Sequence, residues 1–282
     1  MTGEPPVRRR LVGSALRRYR ENVGYALEDA ANVLECDRSK ISRIETGQRG
    51  IRPKELRELL AEYGVPDSEQ AALVGLARRG GQHGWWEQYA SVLPETAIDY
   101  VIMESTAAEI MTYEAQLVPD LLQIADYARA VAQAQPGYTT QAQREDAVAA
   151  TSERQAAVLG SGVRLAAVIG EAALHQQVGG PEVMAAQLAH LAGLASEFPN
   201  ITVQVLPFSA GAHAAAASAS LAILRFPDAP SLGVVYLEAL TGGMYLESQQ
   251  DVARYIRAFA LLSSSALTVA ESSRLLGEMS GC

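Results

Sequence analysis

Residues 25–45, YALEDAANVLECDRSKISRIE, decide how the first part of the chain folds. Apolar residues recur at helical spacing from residue 27 to 34, and a second helix is expected after Asp37, because aspartate favours the N-cap position. Only Ile41 and Ile44 are large apolar residues in the segment 38–45, so most of this second helix is expected to face solvent. The short segment 35–37 joins the two helices, which predicts a helix–turn–helix pair.

The flanking residues extend this pair to an all-α module of five short helices over residues 1–80. A first helix is predicted from an apolar stripe that starts at Leu11, and Pro53 suits the first position of a fourth helix. The basic residues between the apolar positions of the first helix are expected to be solvated: Arg17, Arg18 and Arg20. The core of the module is predicted to contain Leu11, Leu16, Leu56, Leu59 and Tyr63. Glycines from Gly80 onward predict a joint at residues 81–90.

Residues 91–282 are predicted to form an α+β domain, because helical and strand-like segments alternate only loosely. Helices are expected near 119–133, 141–159, 181–197, 248–262 and 268–276, the last opened by a capping box of Thr268 and Glu271. Strands are expected near 164–169, 201–206, 221–226 and 234–237. The glycine pairs Gly179-Gly180 and Gly242-Gly243 predict turns.

Charge is distributed unevenly between these two parts. The formal net charge of the chain is -9, yet residues 1–80 hold fifteen basic and twelve acidic residues, a net charge of about +3, which leaves about -12 for the remainder. Phosphates attract only the first part, so the charge pattern suits a DNA-reading module attached to a domain that does not touch DNA. Chance variation of solvated surface charge is the alternative interpretation.

The outward-facing Arg, Ser and Lys side chains make the helix at 38–45 a candidate recognition helix for the major groove of DNA. Arg38 and Arg43 can each give two hydrogen bonds to guanine, and Ser39 lies between them as a smaller donor and acceptor. Phosphate contacts are predicted for three further basic residues, Lys40, Arg49 and Arg52. On periodicity alone, such a segment is usually an ordinary surface helix, and the arginines of the following loop are ordinary solvated charges.

Residues 24–31, the segment DRSKISRIE at 37–45, Thr46-Gly47 and Arg52-Pro53 resemble the lambda-repressor-like, or Xre-type, helix-turn-helix family. The resemblance implies a five-helix fold, base contacts from Arg38, Ser39 and Arg43, and a structural role for Glu45. It also makes the start of the second helix, at Leu27, a candidate DNA contact. Ala26 stands where the family usually has a Thr or Ser N-cap, so a phosphate contact there depends on backbone N–H groups alone.

Further segments resemble an actinobacterial group of antitoxin-like regulators, the WhiJ-type proteins. They are HGWWEQY at 83–89, YEAQLVPDLLQ at 113–123, DYARA at 126–130, VLPFSAGAH at 205–213 and VYLE at 235–238. This resemblance covers nearly the whole chain from about Leu11 and implies a transcriptional regulator, often paired with a small protein encoded by an adjacent gene. It implies no chemistry for the C-terminal domain.

No catalytic residue, cofactor or metal site is expected, and the chain is not expected to be an enzyme. The common glycine-rich phosphate, dinucleotide and esterase motifs are absent, and no two of the four histidines are spaced at i, i+4. Glu104, Glu109 and Glu114 recur every five residues, which would scatter them around a helix rather than pair them as acid and base.

Two cysteines, Cys36 and Cys282, lie far apart and form no metal-binding pattern, so Cys36 is expected to be a buried filler. The absence of a signal sequence and of a long apolar run predicts a cytoplasmic protein with no membrane partner. Trp85 and Trp86 are predicted to pack the joint onto the second domain, with stacking on a ligand or on DNA as the alternative.

Three classes of function stay open. The first is a transcriptional regulator that reads a pseudo-palindromic operator as a homodimer held by its C-terminal domain, which also binds a partner or a ligand. The second is an antitoxin-like protein that sequesters a small adjacent-gene partner and binds DNA for autoregulation. The third is an enzyme with a DNA-targeting module.

Overall fold

The computed structural model describes residues 5–78, 84–93, 95–218, 220–227, 229, 232–240 and 242–281. The N-terminal module is all-α, as the sequence predicts. Its five helices are α1 (Val7–Asn22), α2 (Leu27–Val33), α3 (Arg38–Glu45), α4 (Pro53–Glu62) and α5 (Asp67–Arg78). The first helix begins at Val7, before the apolar stripe that starts at Leu11.

Glycines in the left-handed backbone region end three of these helices. Gly24, Gly47 and Gly64 have φ angles of +76°, +73° and +68°, which side chains with a Cβ rarely adopt. The helices close around the predicted core residues, all of which are at most 5% exposed: Leu11, Leu16, Leu56, Leu59 and Tyr63. Cys36 is partly buried and packs against this core.

The C-terminal domain is α+β, also as predicted. Its helices are α6 (Glu95–Glu104), α7 (Ala125–Ala134), α8 (Gln141–Leu159), α9 (Glu171–His175), α10 (Pro181–Glu197), α11 (Gln249–Ser265) and α12 (Val269–Ser280). Its strands are β1 (Glu109–Glu114), β2 (Arg164–Gly170), β3 (Ile201–Leu206), β4 (Ser220–Arg225), β5 (Gly233–Ala239) and β6 (Gly242–Leu246). Within the described ranges, no helix is both long and apolar enough to cross a membrane.

The six strands form one mixed sheet in the order β3-β2-β1-β4-β5-β6. β1, β2 and β3 run parallel, whereas β4, β5 and β6 pair antiparallel and add to the other side of β1. α10 and α12 pack together against β3, and α11 packs through Val252, Phe259 and Leu262 on the opposite face. The predicted capping box of Thr268 and Glu271 opens α12.

Three expectations for this domain were wrong. Glu104, Glu109 and Glu114 do not share a helix: Glu104 ends α6, while the other two are the ends of strand β1. Gly242-Gly243 begins β6 rather than forming a turn. The helix expected at 119–133 is divided into a 3₁₀ turn at Asp120–Leu122 and the later helix α7.

The two domains are joined by ion pairs of limited exposure at the start of α1. The Asp99 carboxylate in α6 accepts hydrogen bonds from the Val7 backbone N–H at 2.9 Å and from Arg8 Nε at 2.8 Å. Arg10 Nε donates to Glu247, just after β6, at 2.8 Å. These contacts attach the first turns of α1 to α6 and to the residue that follows the edge strand β6.

Trp85 and Trp86 lie in a short 3₁₀ helix, Trp85–Tyr89, that contacts α8. The Trp85 ring makes edge-to-face contacts with Trp86 and Tyr89, at centroid distances of 5.9 and 6.0 Å. This placement agrees with the expected packing role. Residues 81–83 of the predicted joint lie outside the described residues, so its flexibility stays a prediction.

Candidate nucleic-acid interface

The helix–turn–helix pair is formed by α2, a four-residue turn and α3. Glu35 adopts a left-handed conformation with φ of 47°. The Cys36 N–H donates to the Ala31 carbonyl at 2.9 Å, which closes the end of α2 before the chain enters α3. α3 starts at Arg38, as predicted, but the Asp37 side chain makes no capping hydrogen bond.

The outward face of α3 presents the three predicted base-reading side chains. Ile41 and Ile44 are buried against the core, whereas Arg38, Ser39 and Arg43 are exposed. Arg38 Nη1 lies 2.8 Å from Glu28 Oε1 on α2, and Arg43 Nε donates to the Ser39 carbonyl at 3.3 Å. The Arg38–Glu28 pair is mostly exposed, and such pairs contribute only about 0–1 kcal/mol. Arg38 could therefore give up its bond to Glu28 and donate to the edge of a base at a small cost in free energy.

Lys40 differs from its neighbours on α3. Its ammonium group lies 2.6 Å from Glu55 Oε1 on α4, and both side chains are largely shielded. A DNA phosphate would have to compete with Glu55 for this lysine, so its predicted phosphate contact has less support than those of the exposed arginines.

Arg49 and Arg52 lie in the loop between α3 and α4, and both are exposed. The Arg49 N–H donates to the Arg43 carbonyl at 2.9 Å, which fixes the loop against the end of α3. Arg52 precedes Pro53, the first residue of α4. The two arginines therefore extend a basic surface beyond the C-terminal end of α3.

The start of α2 carries more negative charge than the candidate DNA contact there would favour. Leu27 is the first helical residue and is half-buried, while Ala26 supplies no capping side chain. One bond of a capping box is nevertheless present, because the Asp29 carboxylate accepts the Ala26 N–H at 2.7 Å. Glu28 and Asp29 both lie in the first turn, so a phosphate at the backbone N–H of Leu27 would meet two carboxylates.

A buried ion pair joins α1 to the last residue of α3. Arg20 donates to both carboxylate oxygens of Glu45, at 2.7 and 2.9 Å, and its third bond goes to the Tyr25 carbonyl at 2.7 Å. Glu45 thus has the structural role that the family resemblance implies. Arg20 was expected to be solvated and is instead 7% exposed. It follows Leu16 by four residues, a spacing that places both on the buried face of α1.

Gly13 permits the close approach of α1 and α3. A Cβ atom built on this glycine would lie 2.3 Å from the Ile44 carbonyl oxygen and 2.7 Å from that of Glu45. The sequence signal was a glycine between the apolar residues of a predicted helix, which often marks such a contact. Gly13 therefore helps to position α3 against α1.

The C-terminal domain contains a second group of polar residues, centred on Arg154 of α8. Its guanidinium forms two 3.0 Å bonds to Glu104, which is 1% exposed, and another to Asp120. The same guanidinium lies 5.6 Å from the centre of the Tyr100 ring. This network ties α6, α8 and the segment after β1 together.

Glu114, at the end of β1, lies near this network and should make stability depend on pH. Burial raises the pKa of Glu114 to about 8, although Ser220 Oγ donates to its carboxylate at 2.6 Å. Between the ordinary pKa of 4.5 and 8 the unfolded chain has lost this proton while the folded chain keeps it, so stability falls as pH rises. We expect a loss of at most about 1.4 kcal/mol per pH unit in that window.

Glu114→Gln should remove this pH-dependent loss of stability. The melting temperature of the variant should therefore rise relative to that of the wild type between pH 5 and pH 8. Thermal unfolding of the full chain across this range measures the difference. Glu278→Gln, at an exposed position of α12, is the control and should run parallel to the wild type. Parallel curves for Glu114→Gln would contradict the expectation.

Comparison with known families separates the same two parts of the chain. A family model described as a helix-turn-helix domain matches residues 11–73, and a model described as a domain of unknown function (DUF5753) matches residues 97–278. The first match covers most of the α1–α5 module, and the second covers the whole six-stranded sheet. Neither the curated proteins nor the solved structures contain a match to the chain.

Proposed function

The chain belongs to the family described as a domain of unknown function, DUF5753, and we propose that it is a sequence-specific transcriptional regulator whose α3 reads a DNA operator. The observation that carries this proposal is the exposed row of Arg38, Ser39 and Arg43 on the second helix of a helix-turn-helix domain. Arg side chains match the two acceptors of guanine in the major groove, and serine can donate or accept.

Positioning on the DNA backbone would come from the arginines around the recognition helix. Arg49 and Arg52 are exposed, and neither forms an ion pair with another described residue. Both side chains can therefore turn to phosphates, although the Arg52 N–H donates to the Glu55 carboxylate at 3.3 Å, whereas the Lys40 ammonium is paired directly with Glu55. Contacts of this kind fix the register of a protein on DNA without reading its sequence.

Substitution of the reading residues should change specificity as well as affinity. Arg38→Ala and Arg43→Ala are each expected to weaken operator binding by about 1–3 kcal/mol and to relax preference at one base pair. Arg52→Ala, the matched control, should weaken binding to all sequences alike and reduce the salt dependence. Footprinting on the protein's own promoter gives the operator, and titrations on single-base variants measure the discrimination. Unchanged discrimination in both α3 variants would show that α3 does not read the bases.

We further propose that the regulator binds a pseudo-palindromic operator as a homodimer held by the C-terminal domain. One module offers only two or three base contacts, and the N-terminal core uses its apolar residues internally. Leu240 and Met244, by contrast, are 79% and 55% exposed on the β5–β6 hairpin at the edge of the sheet. An exposed apolar hairpin on an edge strand is a suitable surface for a second copy.

Charged substitutions on this hairpin should separate the copies. Full-length Leu240→Glu/Met244→Glu is expected to sediment as a monomer and to bind the operator roughly 100-fold more weakly, because one set of base contacts is lost. Leu261→Glu, which changes another exposed leucine on α11, is the control and should stay dimeric. A wild-type protein that sediments as a monomer, or a hairpin variant that stays dimeric, would exclude this arrangement.

A second candidate function is that of an antitoxin-like protein of the WhiJ type, whose main task is to hold a small protein encoded by an adjacent gene. The net charge of about -12 after residue 80 favours it, because that surface repels DNA and suits a basic or neutral protein. Co-purification of the tagged full chain with the product of a small neighbouring gene tests this candidate. Neither candidate includes catalysis, and both place the protein in the cytoplasm.

A further inference from the structure

A groove opens between α1, the loop after α3 and α5. Its volume is about 280 Å³, and it runs between the first turns of α1 and the last turn of α5. Pro6, Ile51 and Ala77 form apolar walls, above the buried core residues Val12 and Leu76. The groove is therefore a shallow apolar depression of a size suited to one small group.

The rim of this groove is basic. Three arginines line it, Arg8, Arg9 and Arg49, and no carboxylate is among its lining residues. Arg8 is neutralised by Asp99 of the C-terminal domain at 2.8 Å. Arg9 and Arg49 are exposed, and within the described part of the chain neither forms an ion pair. Two positive charges thus stay uncompensated at the mouth of the groove.

The Arg9 side chain lies beside the loop that carries Arg49. A Cβ atom added to Gly50, which follows Arg49, would lie 3.8 Å from Arg9 Nε. The Arg9 guanidinium is therefore close to this loop. Two like charges that line one groove without a carboxylate repel each other, and a bound anion would relieve that repulsion. A guanidinium pair suits a phosphate group, whose oxygens accept several hydrogen bonds at once.

We infer that this groove binds a phosphate group, with Arg9 and Arg49 as its ligands and an apolar part of the same molecule against Ile51 and Ala77. The site is distinct from the base-reading face, because Arg38 and Ser39 do not line it. Ile44, in α3, does line it, and Arg49 is hydrogen-bonded to the Arg43 carbonyl. A bound phosphate would therefore lie near the C-terminal end of α3 and beside the Arg8–Asp99 link to the other domain.

The phosphate can come from a small molecule or from the DNA backbone, and two measurements on the full-length chain distinguish these sources. Calorimetry without DNA uses phenyl phosphate as the probe, with inorganic phosphate and benzyl alcohol for comparison. If the source is a small molecule, phenyl phosphate should bind one site per chain at least about tenfold more tightly than either comparison compound. It alone carries both a phosphate for the arginines of the rim and an apolar ring for the walls. Arg9→Gln/Arg49→Gln should weaken that binding at least about tenfold.

Arg57→Gln is the matched control, because Arg57 is exposed on α4 and lies outside the groove. Arg9 and Arg49 are both on the surface, so the melting temperature of Arg9→Gln/Arg49→Gln should equal that of the wild type. An unchanged melting temperature would confirm that this variant folds.

The second measurement follows binding to duplex DNA over a range of salt concentrations. If the source is DNA, phenyl phosphate binds weakly, and the double variant lowers the salt dependence by about two phosphate contacts.

Either result supports a phosphate site. The inference is overturned if the double variant leaves phenyl phosphate binding unchanged and lowers the salt dependence on DNA by one phosphate contact or less, since loss of Arg49 alone accounts for one contact. The calorimetric measurement needs no operator, and Arg38→Ala tests base reading without altering the groove. Failure of the phosphate site is therefore distinguishable from failure of the proposed regulatory function.

Discussion

Replacement of Gly13 by alanine is expected to destabilise the N-terminal module by about 3 kcal/mol or more, at the upper end of the usual cost of overpacking. The added Cβ atom would meet the carbonyl oxygens of Ile44 and Glu45 at 2.3 and 2.7 Å, far inside van der Waals contact. Both obstacles are backbone atoms, so neither can rotate away as a side chain could. α1 and α3 would have to separate, which opens the core and displaces the recognition helix.

Hydrogen exchange of the full-length chain measures this effect in the module itself. Amides of α1 and α3 should exchange at least about 100-fold faster in Gly13→Ala, since each 1.4 kcal/mol corresponds to a factor of about ten. Gly75→Ala is the matched control: Gly75 lies within α5, and a Cβ there has no atom within 4 Å. It should stabilise the module by up to about 1 kcal/mol. Equal protection in the Gly13 variant and the wild type would show that α1 and α3 do not approach this closely.

Local signals in the sequence were sufficient for the elements that begin or end at strong markers. Pro53 opens α4, and α10 begins at Pro181 after two glycines, so the predicted and observed starts coincide. The ends of α8 and of β3 were also predicted correctly, because Gly160 follows the helix and Pro207 follows the strand. In each case the residue that fixes the boundary is a neighbour in sequence.

Two strands that were missed, β1 and β6, depend on distant partners. β1 has a carboxylate at each end and no turn residue to mark it, and its place in the sheet comes from pairing with β2 on one side and β4 on the other. β6 begins with two glycines, which by themselves indicate a turn, and becomes a strand because it pairs with β5. Tertiary pairing thus overrides local preference at both places.

The same distinction applies to the candidate interface. Exposure of Arg38, Ser39 and Arg43 followed from the apolar pattern of a single helix. The Lys40–Glu55 pair and the burial of Arg20 could not be predicted in this way, because each depends on contacts between different helices. Arg20 nevertheless carries a sequence signal, its spacing of four residues from Leu16, which outweighs its charge once Glu45 is available as a partner.

Removal of one partner of the Arg20–Glu45 pair is the second change expected to have a large effect. Arg20→Met would leave the Glu45 carboxylate, with a side chain 5% exposed, without its counter-charge. Loss of one partner from a buried pair typically costs about 3–5 kcal/mol, because the remaining charge stays desolvated. The Tyr25 carbonyl would also lose its 2.7 Å bond, so the link between α1 and the start of α2 would weaken.

The cost should be specific to the unpaired charge, and a small set of variants tests this. Arg17→Gln, which breaks the exposed i, i+4 pair with Glu21 on the same helix, should change stability by less than about 0.5 kcal/mol. Arg20→Met/Glu45→Met removes both charges together and should recover most of the stability lost in Arg20→Met, although the Tyr25 carbonyl stays unpaired. Exchange protection of α3 measures all three variants, and operator affinity should follow it, because α3 must keep its position to read DNA. If Arg20→Met were as stable as Arg17→Gln, or if the double variant recovered nothing, the pair would not hold the recognition helix in place through charge compensation.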